Sequence, residues 1–242
     1  MFVDANEDGV DDSDVDPDSF AINAFGDSAE TVVVTSEGDD VFTVTLDTDS
    51  TALTMVDASA VAGDLTYVAD GAVAGTTVKG GSGDDTLTAD GEQDVLMGNA
   101  GDDTFNAGDL TQIYGGAGAD IFNFAVATNL TKVSTVHDAG SGDVFQLGAG
   151  QLFYGEGAQF NPNTTTDVLG KVNAALEQTG GGEASWFQHG SNTYIVIDGS
   201  GDLPGAVDQF DAGVDNVIEI VGLIDLGAEA TYNQTNGTLE IA

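Results

Sequence analysis

Apolar positions along this chain fall into short β-branched runs, not long helical stripes. Between residues 29 and 68 the runs are Thr31–Thr35, Val41–Leu46, Leu53–Val56 and Leu65–Val68, each ended by Gly, Asp or Ser. Such runs, bounded by turn formers, predict strands. More short strands are expected from 133 to 160, among them Asp143–Leu147. Beyond 184 come Ser185–Gln188, Thr193–Ile197, Asn216–Ile220 and Thr238–Ile241, with Trp186, Phe187 and Tyr194 as core candidates. One segment breaks this rhythm. Val168, Leu169, Val172, Ala175 and Leu176 recur at helical spacing, with Thr164–Thr166 able to cap the start and Gly180–Gly182 to stop the end. This predicts one short helix near 166–179.

The stretch from 71 to 123 has a period of nine. Gly80-Gly81-Ser82-Gly83-Asp84-Asp85-Thr86-Leu87-Thr88 fits the pattern G-G-x-G-x-D-x-U-x, where U is large and apolar. Gly115–Asn123 fits it too, and Gly98–Asn106 lacks only one glycine. The copies between them are degenerate: 89–97 keeps Asp94 and Leu96, 107–114 keeps Ile113, and 71–79 keeps Val78. Six residues form a turn and three a short strand. The glycines permit positive φ in the turn. Val78, Leu87, Leu96, Phe105, Ile113 and Phe122 point inward and stack. If two repeats make one coil, turns on the same edge are two repeats apart. The complete turns start at 80, 98 and 115, so all three share an edge.

That alignment carries the chemistry. A carboxylate facing into a glycine-rich turn binds a hard cation together with backbone carbonyls. One Ca²⁺ is expected between turns 80–85 and 98–103, held by Asp85 and Asp103, and a second between 98–103 and 115–120, held by Asp103 and Asp120. Carbonyls of Gly80, Ser82, Gly98, Ala100, Gly115 and Ala117 are the expected completing ligands. The opposite edge should bind weakly or not at all, with Asp94 its one candidate. The alternative is a metal-free β-helix whose turns happen to be rich in Gly and Asp.

These repeats resemble the RTX (repeats-in-toxin) calcium-binding β-rolls. The resemblance implies an all-β fold: a right-handed parallel β-roll or β-helix, with strand regions on both sides of it. Residues 1–28 are expected as an acidic arm, 29–160 as the solenoid, and 161–242 as a C-terminal β-rich cap. Asp4-Ala5-Asn6-Glu7-Asp8-Gly9-Val10-Asp11-Asp12 resembles the calcium loop of thrombospondin type 3 repeats, making Asp4, Asn6, Asp8, Asp12 and the Val10 carbonyl further candidate ligands. A bare acidic linker is the competing reading. Residues 56–90, 184–202 and 210–226 resemble the repeat-flanking and C-terminal regions of bacterial surface-layer proteins exported by type I secretion. That implies a secreted or cell-surface location, an uncleaved C-terminal signal, the secretion machinery as a partner, and a homo-oligomer or lattice. The resemblance also leaves open an export and folding domain of a larger adhesin or hydrolase.

Charge sharpens the picture. With 42 acidic residues against 3 basic ones, the net charge is −39. Such a surface repels nucleic acid and anionic lipid, and it repels itself unless cations or salt intervene. Acidity alone would also suit a chain kept soluble in high salt. There is no cysteine, so metal is the available staple. Met1–Val10 is acidic without an apolar core, unlike a signal peptide. The most apolar run, Val217–Leu226, is broken by Glu219 and Asp225, which argues against membrane insertion. Two histidines, His137 and His189, without a zinc signature, and the absence of nucleophile-elbow or phosphate-loop motifs point away from an enzyme.

Overall fold

A computed structural model describes residues 19–22, 31–35, 41–45, 52–69, 75–89, 93–125, 132–147, 152–153, 167–179, 181–200 and 209–242. The chain divides into two compact units, Met1–Asp120 and Ile121–Ala242.

The first unit is a parallel β-solenoid. Its strands are β1 (Ser19–Ile22), β2 (Thr31–Thr35), β3 (Val41–Thr45), β4 (Met55–Ala60), β5 (Leu65–Val68), β6 (Thr77–Lys79), β7 (Thr86–Thr88), β8 (Val95–Ala100), β9 (Thr104–Ala107) and β10 (Gln112–Ala117). Odd strands pair in the order β1-β3-β5-β7-β9 and even strands in the order β2-β4-β6-β8-β10, so each coil contributes one strand to each sheet. Each of β1 to β8 pairs in parallel with the strand two further along the chain, so successive strands alternate between the two sheets. Register is set by the inward residue of each strand. Tyr67, Leu87 and Phe105 align on one sheet, and Val56, Val78, Leu96 and Ile113 on the other. All seven are at most 1% exposed. A one-residue slip would turn that entire row to solvent. β1 falls within the stretch expected as an acidic arm and pairs with β3 from Ser19↔Val41 to Ile22↔Val44.

The second unit is mixed. β11 (Ile121–Phe124), β12 (Ser134–Val136), β13 (Val144–Gln146) and β14 (Leu152–Phe153) precede a helix, α1 (Val168–Leu176). β15 (Glu183–His189), β16 (Asn192–Asp198), β17 (Asn216–Val221), a short helix α2 (Leu226–Glu229), β18 (Ala230–Asn233) and β19 (Thr238–Ile241) follow. β15, β16 and β17 form an antiparallel meander, and β17 pairs in parallel with β12. β13 pairs with β11 in parallel and with β19 antiparallel. Trp186, Phe187 and Tyr194 are buried as expected.

The helix is shorter than the sequence suggests, and Asp167 caps it, accepting from Gly170 N at 2.7 Å. Thr164–Thr166 lie outside the described residues. Val172, Ala175 and Leu176 pack against Phe187, Tyr194, Val196 and Val217. Leu169 does not join them: it is 54% exposed, because the buried stripe over nine residues is only as wide as the i, i+3, i+4 row. The second helix, α2, has four residues, too few for any periodicity to show in sequence. No helix among the described residues is long and apolar enough to cross a membrane.

Candidate metal centre

The three complete turns stack on one edge of the solenoid, as their spacing demands. Asp85, Asp103 and Asp120, in the turns just before β7, β9 and the strand at Ile121–Phe124, are each at most 1% exposed. They are buried by the neighbouring turns. Asp85 N donates to Asp103 Oδ1 at 2.7 Å, and Asp103 N donates to Asp120 Oδ1 at 2.9 Å. Each carboxylate thus ties its turn to the preceding one. The glycines are cut to this arrangement. A Cβ on Gly80 would collide with Asp85 Oδ2, and one on Gly98 with Asp103 Oδ2; the Gly98 and Gly115 carbonyl oxygens lie across the same gaps. Gly101 and Gly118 also adopt φ of +118° and +146°, which disfavour a side chain. Asn99 stands where the other turns have Gly81 and Gly116, at φ +77°. Asparagine tolerates that region, and its Nδ2 donates to Gly80 O at 2.6 Å, so the missing glycine is replaced functionally.

The three aspartates are not equivalent. Asp85 has both oxygens paired, Oδ1 with Leu65 N and Oδ2 with Gly81 N, each at 2.7 Å. Asp103 has only Oδ1 paired; its Oδ2 is buried without a hydrogen-bond partner. Burial, reinforced by the charges of Asp85, Asp120 and Asp84, pushes the Asp103 carboxyl up to about 8, against the Asp85 N–H that lowers it. Burial pushes Asp85 up to about 6, its two backbone donors holding it lower. An orphaned carboxylate oxygen at the centre of the stack is the atom a cation would satisfy.

Among the described residues no three acidic or histidine side chains converge on one point. Any ion held here takes most of its shell from backbone carbonyls, as the Gly80, Ser82, Gly98, Ala100, Gly115 and Ala117 assignment supposes. Of these carbonyls, Gly80 O accepts from Asn99 and Ala117 O from Gly101 N at 3.0 Å, and each oxygen retains a second lone pair. An all-oxygen donor set with no nitrogen or sulfur suits a hard cation such as Ca²⁺.

Asp94 lies on the other edge, level with Thr76 and Thr111, both fully buried. Its Oδ1 accepts from Thr76 N at 2.8 Å and its carbonyl from Gln112 N. The described residues level with it, Thr76 and Thr111, carry no carboxylate. The hydroxyl of Tyr67 is buried without a hydrogen-bond partner, its pKa raised by burial and by the charge of Asp94. Asp4, Asn6, Asp8, Val10 and Asp12 lie outside the described residues.

Three features escaped the sequence reading. Residues 61–65 form a fourth turn on the metal edge: Ser82 N donates to Val61 O, Asp84 N to Asp64 Oδ1, and a Cβ on Gly83 would meet Gly63. Gly63-Asp64 was the available signal, obscured by a two-residue insertion and by Leu65 in the place of the turn aspartate. Next, Asp64, Asp84 and Asp102 form an outer ladder, each Oδ1 accepting at 2.8 Å from the next turn: Asp84 N, Asp102 N and Ala119 N. Last, in the second unit Asp215 copies Asp85, accepting from Gly199 N and from Asp211 N four residues before it. Gly213-Val214-Asp215 has the same glycine-to-aspartate spacing as the repeats but lacks their leading glycines. Asp143, at the start of the strand expected over Asp143–Leu147, is 4% exposed and accepts from Gly140 N.

Residues 77–109 and 112–125 match the family of RTX calcium-binding nonapeptide repeats. No curated protein matches the chain. The matched repeats lie within the parallel solenoid, an all-β fold consistent with an RTX β-roll, and repeats of this family bind calcium.

Proposed function

We propose that the chain is a secreted structural protein, not an enzyme, whose solenoid folds on binding Ca²⁺ outside the cell and then assembles as a surface layer or matrix subunit. The observation that carries the calcium step is the buried, unpartnered Oδ2 of Asp103 between two turns that each present a glycine and a carbonyl to the gap. Bound Ca²⁺ supplies the positive charge that offsets carboxylates buried in this stack. The chain does the rest. Asp103 faces both gaps, Asp85 and Asp120 close them from either side, and the backbone donors at Asp85 and Asp103 fix the carboxylates in place.

Low cytosolic calcium would leave such sites empty, since extracellular modules bind with Kd on the order of 10⁻⁴ to 10⁻³ M. With a net charge of −39 the ion-free chain resists compaction, which suits passage through a type I secretion channel. Outside, binding free energy becomes folding free energy. The test is a calcium titration of purified protein followed by circular dichroism, with Asp103→Ala as the control, and electron microscopy of the calcium-loaded sample. Calcium-dependent β signal supports the folding step, and sheets or filaments support assembly. Persistent monomers would refute the lattice role while leaving the folding step intact.

A further inference from the structure

The outer face of the odd-numbered sheet in the first unit is uncharged at its described positions. Its outward positions are Thr66 and Val68 on β5, Thr86 and Thr88 on β7, and Thr104 and Asn106 on β9, all partly exposed. Thr66, Thr86 and Thr104 stand in one column, in register without a shift, and Val68, Thr88 and Asn106 in a second. The backbone register extends both columns to Thr43 and Thr45 on β3. Asn106 Nδ2 donates to Thr88 Oγ1 at 3.0 Å, linking rungs of the second column. None of these eight positions is charged, in a chain with 42 acidic residues. The outer face of the other sheet is also in register but chemically mixed: one column holds Met55, Thr77, Val95 and Gln112, the other Asp57, Lys79, Met97 and Tyr114, so threonine does not recur from rung to rung.

We propose that this threonine face binds ice. Neighbouring strands are roughly 4.8 Å apart and alternate residues along a strand roughly 6.6 Å apart, so the face is a two-dimensional grid of methyl and hydroxyl groups. Hexagonal ice offers oxygen rows at closely similar repeats on its prism faces. Threonine is stiff at χ1, so its groups are held in place before water arrives, and ordered water on a rigid polar grid loses little further freedom. Other occupants fit less well. A protein partner calls for aromatic or arginine anchors, and a polysaccharide for aromatic rings to stack on; these six described side chains include neither.

The experiment is partition into slowly growing ice, with ice-recrystallisation assays alongside, on full-length protein in millimolar calcium. Folding is checked first by circular dichroism, so a failure of the calcium reading shows there and not in the ice. Wild type should be enriched in the ice several-fold over an acidic control protein. Thr86→Tyr places a ring across the first column and should abolish the enrichment with an unchanged spectrum; Thr88→Tyr, in the second column, serves if the first variant fails to fold. Met97→Tyr, on the other sheet, should keep it. Folded wild type left in the liquid, or equal losses from Thr86→Tyr and Met97→Tyr, overturns the proposal.

Discussion

Replacing Asp103 by asparagine separates the two roles of its carboxyl. Asparagine keeps an oxygen for the Asp85 N–H but removes the charge and the orphaned Oδ2. The folded carboxyls of Asp103 and Asp85 sit at about 8 and about 6, against an ordinary 3.8. Each pKa unit is 1.36 kcal/mol, so at pH 7 without metal the two groups destabilise the fold by roughly 4 and 3 kcal/mol. Total stabilities of domains are only about 5–15 kcal/mol. Asp103→Asn relieves the larger penalty. An amide nitrogen left without an acceptor in the gap returns about 1–3 kcal/mol of it. The metal-free variant should therefore be about 1–3 kcal/mol more stable than metal-free wild type at pH 7. In calcium the order reverses. Two sites at one hundred times Kd would stabilise wild type by about 5 kcal/mol, and a variant without the shared ligand by far less. Urea unfolding at pH 7, in chelator and in calcium, reads both differences. An undiminished calcium gain in Asp103→Asn, or a less stable metal-free variant, would refute the reasoning.

The same carboxyls predict a pH dependence. Because their folded values are raised, their contribution to metal-free stability is complete below about 4 and is lost as pH rises, for Asp85 up to about 6 and for Asp103 up to about 8. Melting in chelator should show metal-free protein more stable at pH 4.5 than at pH 8, the reverse of acid denaturation, and calcium binding near pH 7 should release protons measurable in weakly buffered solution. Gly98→Ala drives a Cβ into Asp103 Oδ2 and the Gly115 carbonyl and should cost about 1–3 kcal/mol, whereas Gly140→Ala, whose Cβ meets nothing closer than 3.8 Å, should be near neutral in urea unfolding. Asp94→Asn should leave the calcium titration midpoint unchanged, because the described residues level with it, Thr76 and Thr111, offer no second carboxylate; a large shift would place an ion on that edge.

The repeats were legible because each residue type answers to one geometric demand. Gly80, Gly98 and Gly115 leave room for an aspartate oxygen, Asp85, Asp103 and Asp120 tie successive turns, and Leu87 and Phe105 fill the space between sheets. The turn at 61–65 was hidden because Leu65 offers its backbone N–H to Asp85 where the other turns offer an aspartate, a role with no side-chain signature. Asp215 was hidden because its local turn with Asp211 lacks the leading glycines, and its other partner, Gly199, comes from the end of β16, which strand propensity locates but does not place beside β17. Leu169 was misplaced because five apolar residues within nine allow more than one helical face, and only packing on Phe187 and Val196 chooses between them.

Anomalous diffraction from crystals grown in calcium tests the central claim most directly. The account predicts one peak between turns 80–85 and 98–103, one between 98–103 and 115–120, both next to Asp103, and none beside Asp94. Peaks confined to the Asp94 edge, or a fully folded roll whose glycine turns hold no metal, would contradict it.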